Sequence, residues 1–179
     1  MMKLLDFVKT YDVMEDEFCK GLISLFKNNE SQHRHNDNKV QRFTEWNFTQ
    51  NSSTQIQPII EVVLTALDKY LADVPQYYRN FSEGLSLEEF RVKRYRGGTD
   101  EQFDWHVDVG DKVSCKRYLS FLFYLNDDYE GGETEFREAT FNPKKGTVLI
   151  FPPTWQYPHR GRPVTSGDKY IMSTYLTYP

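Results

Sequence analysis

Two spacing patterns divide this chain. From Asp16 to Lys27, Phe18, Leu22, Ile23, Leu25 and Phe26 fall on or near one face at helical spacing, and Asn28 and Asn29 end the run, so a helix is predicted there. Asn28 to Asn38 is polar and reads as a surface loop. Val40 to Phe48, with Phe43, Trp46 and Phe48 among polar neighbours, reads as a strand or extended segment. A second helix is predicted over Ile59 to Leu71, which is long, apolar and free of glycine. Pro58 suits its first turn, and Ser52 or Ser53 suits its cap.

From Glu89 onward the runs shorten. Phe90 to Tyr95, Trp105 to Val109, Tyr118 to Leu125, Thr134 to Phe136, Thr147 to Phe151, Gln156 to His159 and Tyr170 to Leu176 each read as a strand. The turns between them contain Gly97-Gly98, Asn126 to Gly132, Asn142 to Gly146 and Pro163 to Asp168. Successive short strands with no helix-length segment between them predict an antiparallel sandwich or barrel, with the helices packed on one side. No repeat, low-complexity tract or linker splits the chain. The expectation is one mainly β domain over residues 1–179, with helical support at about 1–88 and a β core at about 89–179.

Composition narrows the class. Hydrophobic residues at 39% and charged residues at 27% suit a folded soluble chain rather than a disordered one. Aromatics reach 16% and crowd into the alternating runs, which favours strands. A net charge of -4 offers no attraction to nucleic acid or anionic membrane, so neither is expected as a partner. No apolar run approaches the ~20 residues of a membrane span. The start MMKLLDFVKTYD is too short and too acidic downstream for a secretory leader, and Cys19 and Cys115 read as free thiols. The expected location is therefore cytoplasmic.

The chemistry lies in the second half. Side chains two apart on a strand point the same way, so His106 and Asp108 present an imidazole and a carboxylate to one point while Val107 faces away. A sandwich can bring a later strand bearing His159 beside them, and two imidazoles with one carboxylate leave open positions on an iron ion. Lys169, ten residues after His159, begins a strand with apolar and aromatic neighbours. An inward ammonium there needs an anion, which a bound dicarboxylate supplies. Taken singly, these residues have plainer readings as an exposed strand histidine, a hydrogen-bonded loop histidine and a strand-end lysine. Trp105, on the alternate face from the ligands, reads as core. His33 and His35 have no third ligand nearby and read as solvated loop residues, and the turn with Asp127, Asp128 and Glu130 lacks the spacing of a calcium loop.

In order along the chain come Tyr95-Arg96-Gly97-Gly98 leading to His106-x-Asp108, Arg117 to Asn126 (RYLSFLFYLN), Gly131-Gly132-Glu133-Thr134-x-Phe136, Gly146 to Phe151, and His159-x-Gly161-x-Pro163-Val164-x-x-Gly167-x-Lys169-Tyr170. This ordered set resembles the prolyl 4-hydroxylase-like branch of the iron(II)/2-oxoglutarate-dependent oxygenases, in its short bacterial and phage form, closely from Glu89 onward and loosely before it. The resemblance implies a double-stranded β-helix, or jelly roll, with iron(II) on His106, Asp108 and His159 and the distal carboxylate of 2-oxoglutarate on Lys169. It also implies that the Tyr95 hydroxyl contacts the co-substrate, that Tyr124 faces the same cavity, that Ser173 lies near that carboxylate, and that Tyr175 stands toward the substrate side unless it simply packs. The implied reaction consumes O2, releases succinate and CO2, and has ascorbate as a candidate accessory. A prolyl residue in a peptide or protein is the expected substrate. Two alternatives stay open: the same chemistry on a free amino acid or other small metabolite, and a non-catalytic jelly-roll sensor that keeps the metal and the dicarboxylate. Specificity is expected in the loops Arg96 to Asp104, Pro75 to Leu87 and Asn126 to Glu130.

Overall fold

The amphipathic run near the start folds as α1 (Asp16–Asn28) and buries Cys19, Leu22 and Phe26. Asn29 stops it: its side-chain amide donates to the Leu25 carbonyl at 2.7 Å, which satisfies one of the orphan carbonyls of the last turn. The computed structural model describes residues 3–51, 56–74 and 84–179. The cap expected at Ser52 or Ser53 and most of the loop from Pro75 to Leu87 lie outside the described residues. The other α-helices among the described residues are a single turn, α2 (Phe48–Asn51), and the long α3 (Ile56–Asp73), which buries Ile59, Val63, Ala66 and Tyr70 at helical spacing. Among the described residues no helix is long and apolar enough to cross a membrane.

Strands make up most of the rest. Those before the second half are β1 (Lys9–Asp12), β2 (Arg34–Asp37), β3 (Gln41–Asn47) and β4 (Ser86–Leu87). The next five are β5 (Arg91–Arg96), β6 (Gln102–His106), β7 (Arg117–Tyr124), β8 (Glu130–Gly131) and β9 (Thr134–Phe136). The last five are β10 (Thr140–Phe141), β11 (Thr147–Phe151), β12 (His159–Gly161), β13 (Val164–Ser166) and β14 (Asp168–Thr177). The ladders are antiparallel, in the order β1-β11-β7-β14-β5-β3-β6-β12-β9-β10, with β2 added on β3, β4 on β14, and β13 paired with β8 separately. Tyr95, Tyr124, Phe151 and Ile171 from one half of that order share an inner apolar cluster with Phe136 from the other, so the sheet curls on itself and encloses a cavity. A second core lies on the outer face, where α1 and α3 pack against β5, β7, β11 and β14. This mainly β jelly roll with flanking helices is the expected fold class.

Alternation on β14 sorts its side chains between the two cores. Tyr170, Met172 and Leu176 join the outer core, while Lys169, Ile171 and Tyr175 line the cavity.

Five details differ from the sequence reading. The segment read as a polar loop contains β2, which pairs with β3 from Arg34 opposite Glu45 to Asp37 opposite Arg42. The turn between them is fixed by the Asn38 side-chain oxygen, which accepts from the backbone N–H groups of Val40 and Gln41. An edge strand with solvated faces carries no hydrophobic period, so the pattern missed it. β1 was likewise unforeseen; it extends the sheet along β11. β6 runs from Gln102 to His106 rather than from Trp105 to Val109, and β12 runs from His159 to Gly161 rather than from Gln156 to His159. Finally, Trp105 is not core. It is 39% exposed, with the Arg160 guanidinium 5.0 Å from its ring centroid.

Candidate metal centre

His106 ends β6 and His159 begins β12, and the ladder sets the two opposite each other, with ring centroids 4.2 Å apart. Asp108 lies just beyond the end of β6, so strand alternation alone does not aim its carboxylate. Two other contacts do. The Arg117 guanidinium donates to the Asp108 backbone carbonyl at 2.7 Å while holding Glu88 through two further bonds, and the Tyr175 hydroxyl donates to Asp108 Oδ1 at 2.9 Å. The same guanidinium lies 3.8 Å from the Tyr175 ring centroid, so Arg117, Tyr175 and Asp108 brace one another.

Each histidine presents a defined nitrogen. His106 Nδ1 lies 2.7 Å from the Asp104 carbonyl and His159 Nδ1 lies 3.1 Å from the Tyr157 carbonyl. A carbonyl only accepts, so each Nδ1 carries a proton, and in the neutral ring Nε2 is the nitrogen with the lone pair. The His106 and His159 Nε2 atoms stand 3.4 Å and 3.8 Å from the Asp108 carboxylate oxygens, and one ligand atom from each residue falls within 4.8 Å of the others. His106 Nε2 and Asp108 Oδ2 are buried with no hydrogen-bond partner. Buried polar atoms without partners are costly unless something is to fill the gap, and a divalent ion fits this donor set and spacing.

Burial sets the electrostatics. It drives the His159 imidazole down to about 4, against the opposing pull of the Asp108 carboxylate. Burial also pushes the Asp108 carboxyl upward, but the His159 and His106 rings and the Tyr175 hydroxyl outweigh it and hold the group well below the usual carboxylate range. His159 is therefore poised as a neutral imidazole and Asp108 as a carboxylate, the protonation states that metal ligation requires.

Lys169 points inward from the start of β14 and is 3% exposed. Its ammonium donates to the Gly132 carbonyl at 2.5 Å and lies among the rings of Tyr124, Tyr95 and Tyr129 at 5.1, 5.7 and 5.9 Å. Burial brings it down to about 7, with Glu133 opposing. Gly132 has φ +67, and a Cβ there would come within 3.1 Å of the Lys169 stem, so the close approach calls for glycine. An ammonium has three protons, and one carbonyl leaves room for a carboxylate partner. The donor set would thus also suit an oxo-diacid, with Lys169 as the residue that would hold one of its carboxylates.

Of the residues expected around that carboxylate, Tyr95 and Tyr124 are brought to Lys169 and Ser173 is not. Tyr95 sits opposite Lys169 on β5, and Tyr124 shares its hydroxyl with Thr134 at 2.5 Å. Ser173 is four residues along β14, roughly 13 Å away at the usual strand rise. It lines an outer groove of about 390 Å³ with Glu45, Arg91 and Arg117. Side-chain period explains the error: Ser173 shares the face of Lys169 but not its depth. Sequence reasoning also passed over Thr134, Arg117 and Lys93, all at the cavity or bracing it, and left the hydroxyl of Tyr175 without a task. Parity was the available signal, because Lys93 lies two residues before Tyr95 and Tyr175 six after Lys169.

Residues 90–177 match the family model described as the 2OG-Fe(II) oxygenase superfamily. Over 94% of its length the chain is 25% identical to prolyl 4-hydroxylase subunit alpha-1 of Gallus gallus, and it spans only 35% of that relative. Among solved structures, the viral collagen prolyl hydroxylase of Paramecium Bursaria Chlorella virus-1, in its 2OG complex, superposes with a TM-score of 0.73 at 22% identity, covering 97% of each chain. A prolyl hydroxylase from Trichoplax adhaerens, in complex with a hypoxia inducible factor peptide fragment, also gives 0.73, at 13% identity, covering 96% of this chain and 84% of that one. At such identities the two structures speak to the fold.

Proposed function

This chain belongs to the 2OG-Fe(II) oxygenase superfamily, and from that premise we propose that it is a dioxygenase hydroxylating a prolyl residue in a peptide or protein. The chemistry that iron(II) and 2-oxoglutarate supply when bound is oxidation of a substrate C–H bond to C–OH by O2, one oxygen atom entering the product and the other the succinate formed with CO2. The observation that carries this reading is the convergence of His106, Asp108 and His159 on one point in the same cavity as the Lys169 ammonium.

The chain's own residues then have separable tasks. His106 and His159 offer Nε2 because their other nitrogens are tied to backbone carbonyls. Asp108 is aimed by Tyr175 and Arg117. Lys169 holds the far carboxylate of the co-substrate, with Tyr95 and Tyr124 closing the space around it. Phe103, stacked on the His106 ring at 3.5 Å, and the side chains of Leu122 and Ile171 wall the cavity against water. A prolyl substrate is supported by the relatives, which are named as prolyl hydroxylases, and by the open groove that runs up to His106 and Asp108.

Incubation with iron(II), 2-oxoglutarate and a panel of prolyl peptides and free amino acids, with and without ascorbate, tests the proposal. Succinate release matched to a peptide gaining one oxygen atom is expected. Succinate release without any peptide change, but with an oxidised free amino acid, would replace the substrate. No 2-oxoglutarate consumption by metal-loaded protein would remove the enzyme.

A further inference from the structure

The cavity holds a second buried ammonium that the proposed chemistry does not use. Lys93 lies two residues before Tyr95 on β5, so alternation turns it into the barrel, and it is 7% exposed. Its nearest anion by register is Glu45, directly opposite on β3, but that carboxylate is engaged by Arg91 at 3.2 Å. Among the described residues the Lys93 ammonium makes no hydrogen bond or ion pair. What surrounds its nitrogen is aromatic: the ring centroids of Phe43 and Phe103 lie 5.4 and 5.7 Å away. A lysine in such a place is costly unless an anion arrives to meet it.

Its position says where that anion would come from. Lys93 lines the inner cavity with His106, Asp108 and Lys169, and also the outer groove with Glu45 and Arg117. It therefore stands at the junction between the reacting centre and the approach to it. Phe103 is packed on the His106 ring at an interplanar angle of 4° and also lies beside the Lys93 nitrogen, so ammonium and ligand adjoin the same ring.

We propose that Lys93 is a specificity-determining residue that receives a carboxylate carried by the substrate, a few bonds from the carbon that is oxidised. The inference rests on the oxygenase reading of the site and narrows its substrate class. The carboxylate has two possible sources, the α-carboxylate of a free imino acid and an acidic side chain beside the target residue of a peptide. Both offer Lys93 the same charge-assisted hydrogen bond.

The test is equilibrium binding to the full chain loaded with manganese(II) and N-oxalylglycine, which permits no turnover. Two matched pairs serve as probes: L-proline against L-prolinamide, and acetyl-Pro-Asp-amide against acetyl-Pro-Asn-amide. One acid is expected to bind about tenfold more tightly than its amide, and which pair shows the gap identifies the source. Lys93→Met should close the gap and Lys93→Arg should keep most of it. The proposal is overturned by equal binding within both pairs, by no binding of either acid, by a gap that survives Lys93→Met, or by loss of N-oxalylglycine binding in that variant, which would assign Lys93 to the co-substrate. Failure of the oxygenase reading would show separately, as absence of manganese-dependent N-oxalylglycine binding in the unaltered protein.

Discussion

His106 and His159 are direct partners across the β6–β12 ladder, so the register of one strand pair assembles both imidazoles of the site. Asp108 is added by a turn rather than by the ladder. Replacement of His159 or Asp108 by Ala is expected to lower manganese(II) affinity beyond the roughly 100-fold that loss of an outer partner can produce. Titration of the purified variants measures this, and near-normal affinity in both would mean that the metal binds elsewhere.

Tyr175→Phe removes the hydroxyl that orients Asp108 and keeps the ring that faces Arg117. Metal affinity should fall about 10-fold or more while the fold persists. An unchanged affinity would make the hydroxyl contact incidental.

Lys169 rests at about 7 in the free cavity, so at pH 8 much of it is neutral. A carboxylate partner favours the charged form, and binding must then take up a proton. N-oxalylglycine affinity for the manganese-loaded protein is therefore expected to decline as pH rises above 7. Calorimetry at pH 8 in buffers of different ionisation enthalpy should record net proton uptake, and proton release would contradict this role.

Much of this was legible before any coordinates. Helical and two-residue spacing gave α1, α3 and the β-rich second half, and the ordered motifs pointed to His106, Asp108, His159 and Lys169. What stayed hidden had physical causes. β2 buries no apolar face, so periodicity had nothing to register. Trp105 reads as core because alternation turns it away from the ligands, whereas here it lies beside an arginine at the surface. Ser173 illustrates a further limit: parity states which way a side chain points, and depth along the strand depends on how the sheet curls. Lys93 was missed because a lysine in a charged-looking run, RVKRYR, suggests solvent.

Tyr124 and Thr134 share a fully buried hydroxyl pair. Tyr124→Phe or Thr134→Val alone strands one polar group and should cost about 1–3 kcal/mol in urea unfolding, whereas the double variant should cost little more than either. Additive losses would indicate that the hydroxyls do not depend on each other.

His159 links metal-free stability to pH. Its unfolded value is near 6.5 and its folded value about 4, so between these the unfolded chain binds more protons and stability rises with pH. Acidification from 6.5 toward 4 should lower the melting temperature of the metal-free protein, and His159→Gln should flatten that dependence. A slope unaltered by the substitution would place the titrating group elsewhere.

The division of β14 between two cores has a corollary. Odd-numbered positions such as Ile171 and Tyr175 meet whatever enters the cavity, and even-numbered ones such as Met172 and Leu176 meet the helices. A substitution at Ile171 thus alters what the cavity admits while the second group keeps the architecture intact, a freedom that Lys169 and Tyr175, committed to the site itself, do not share.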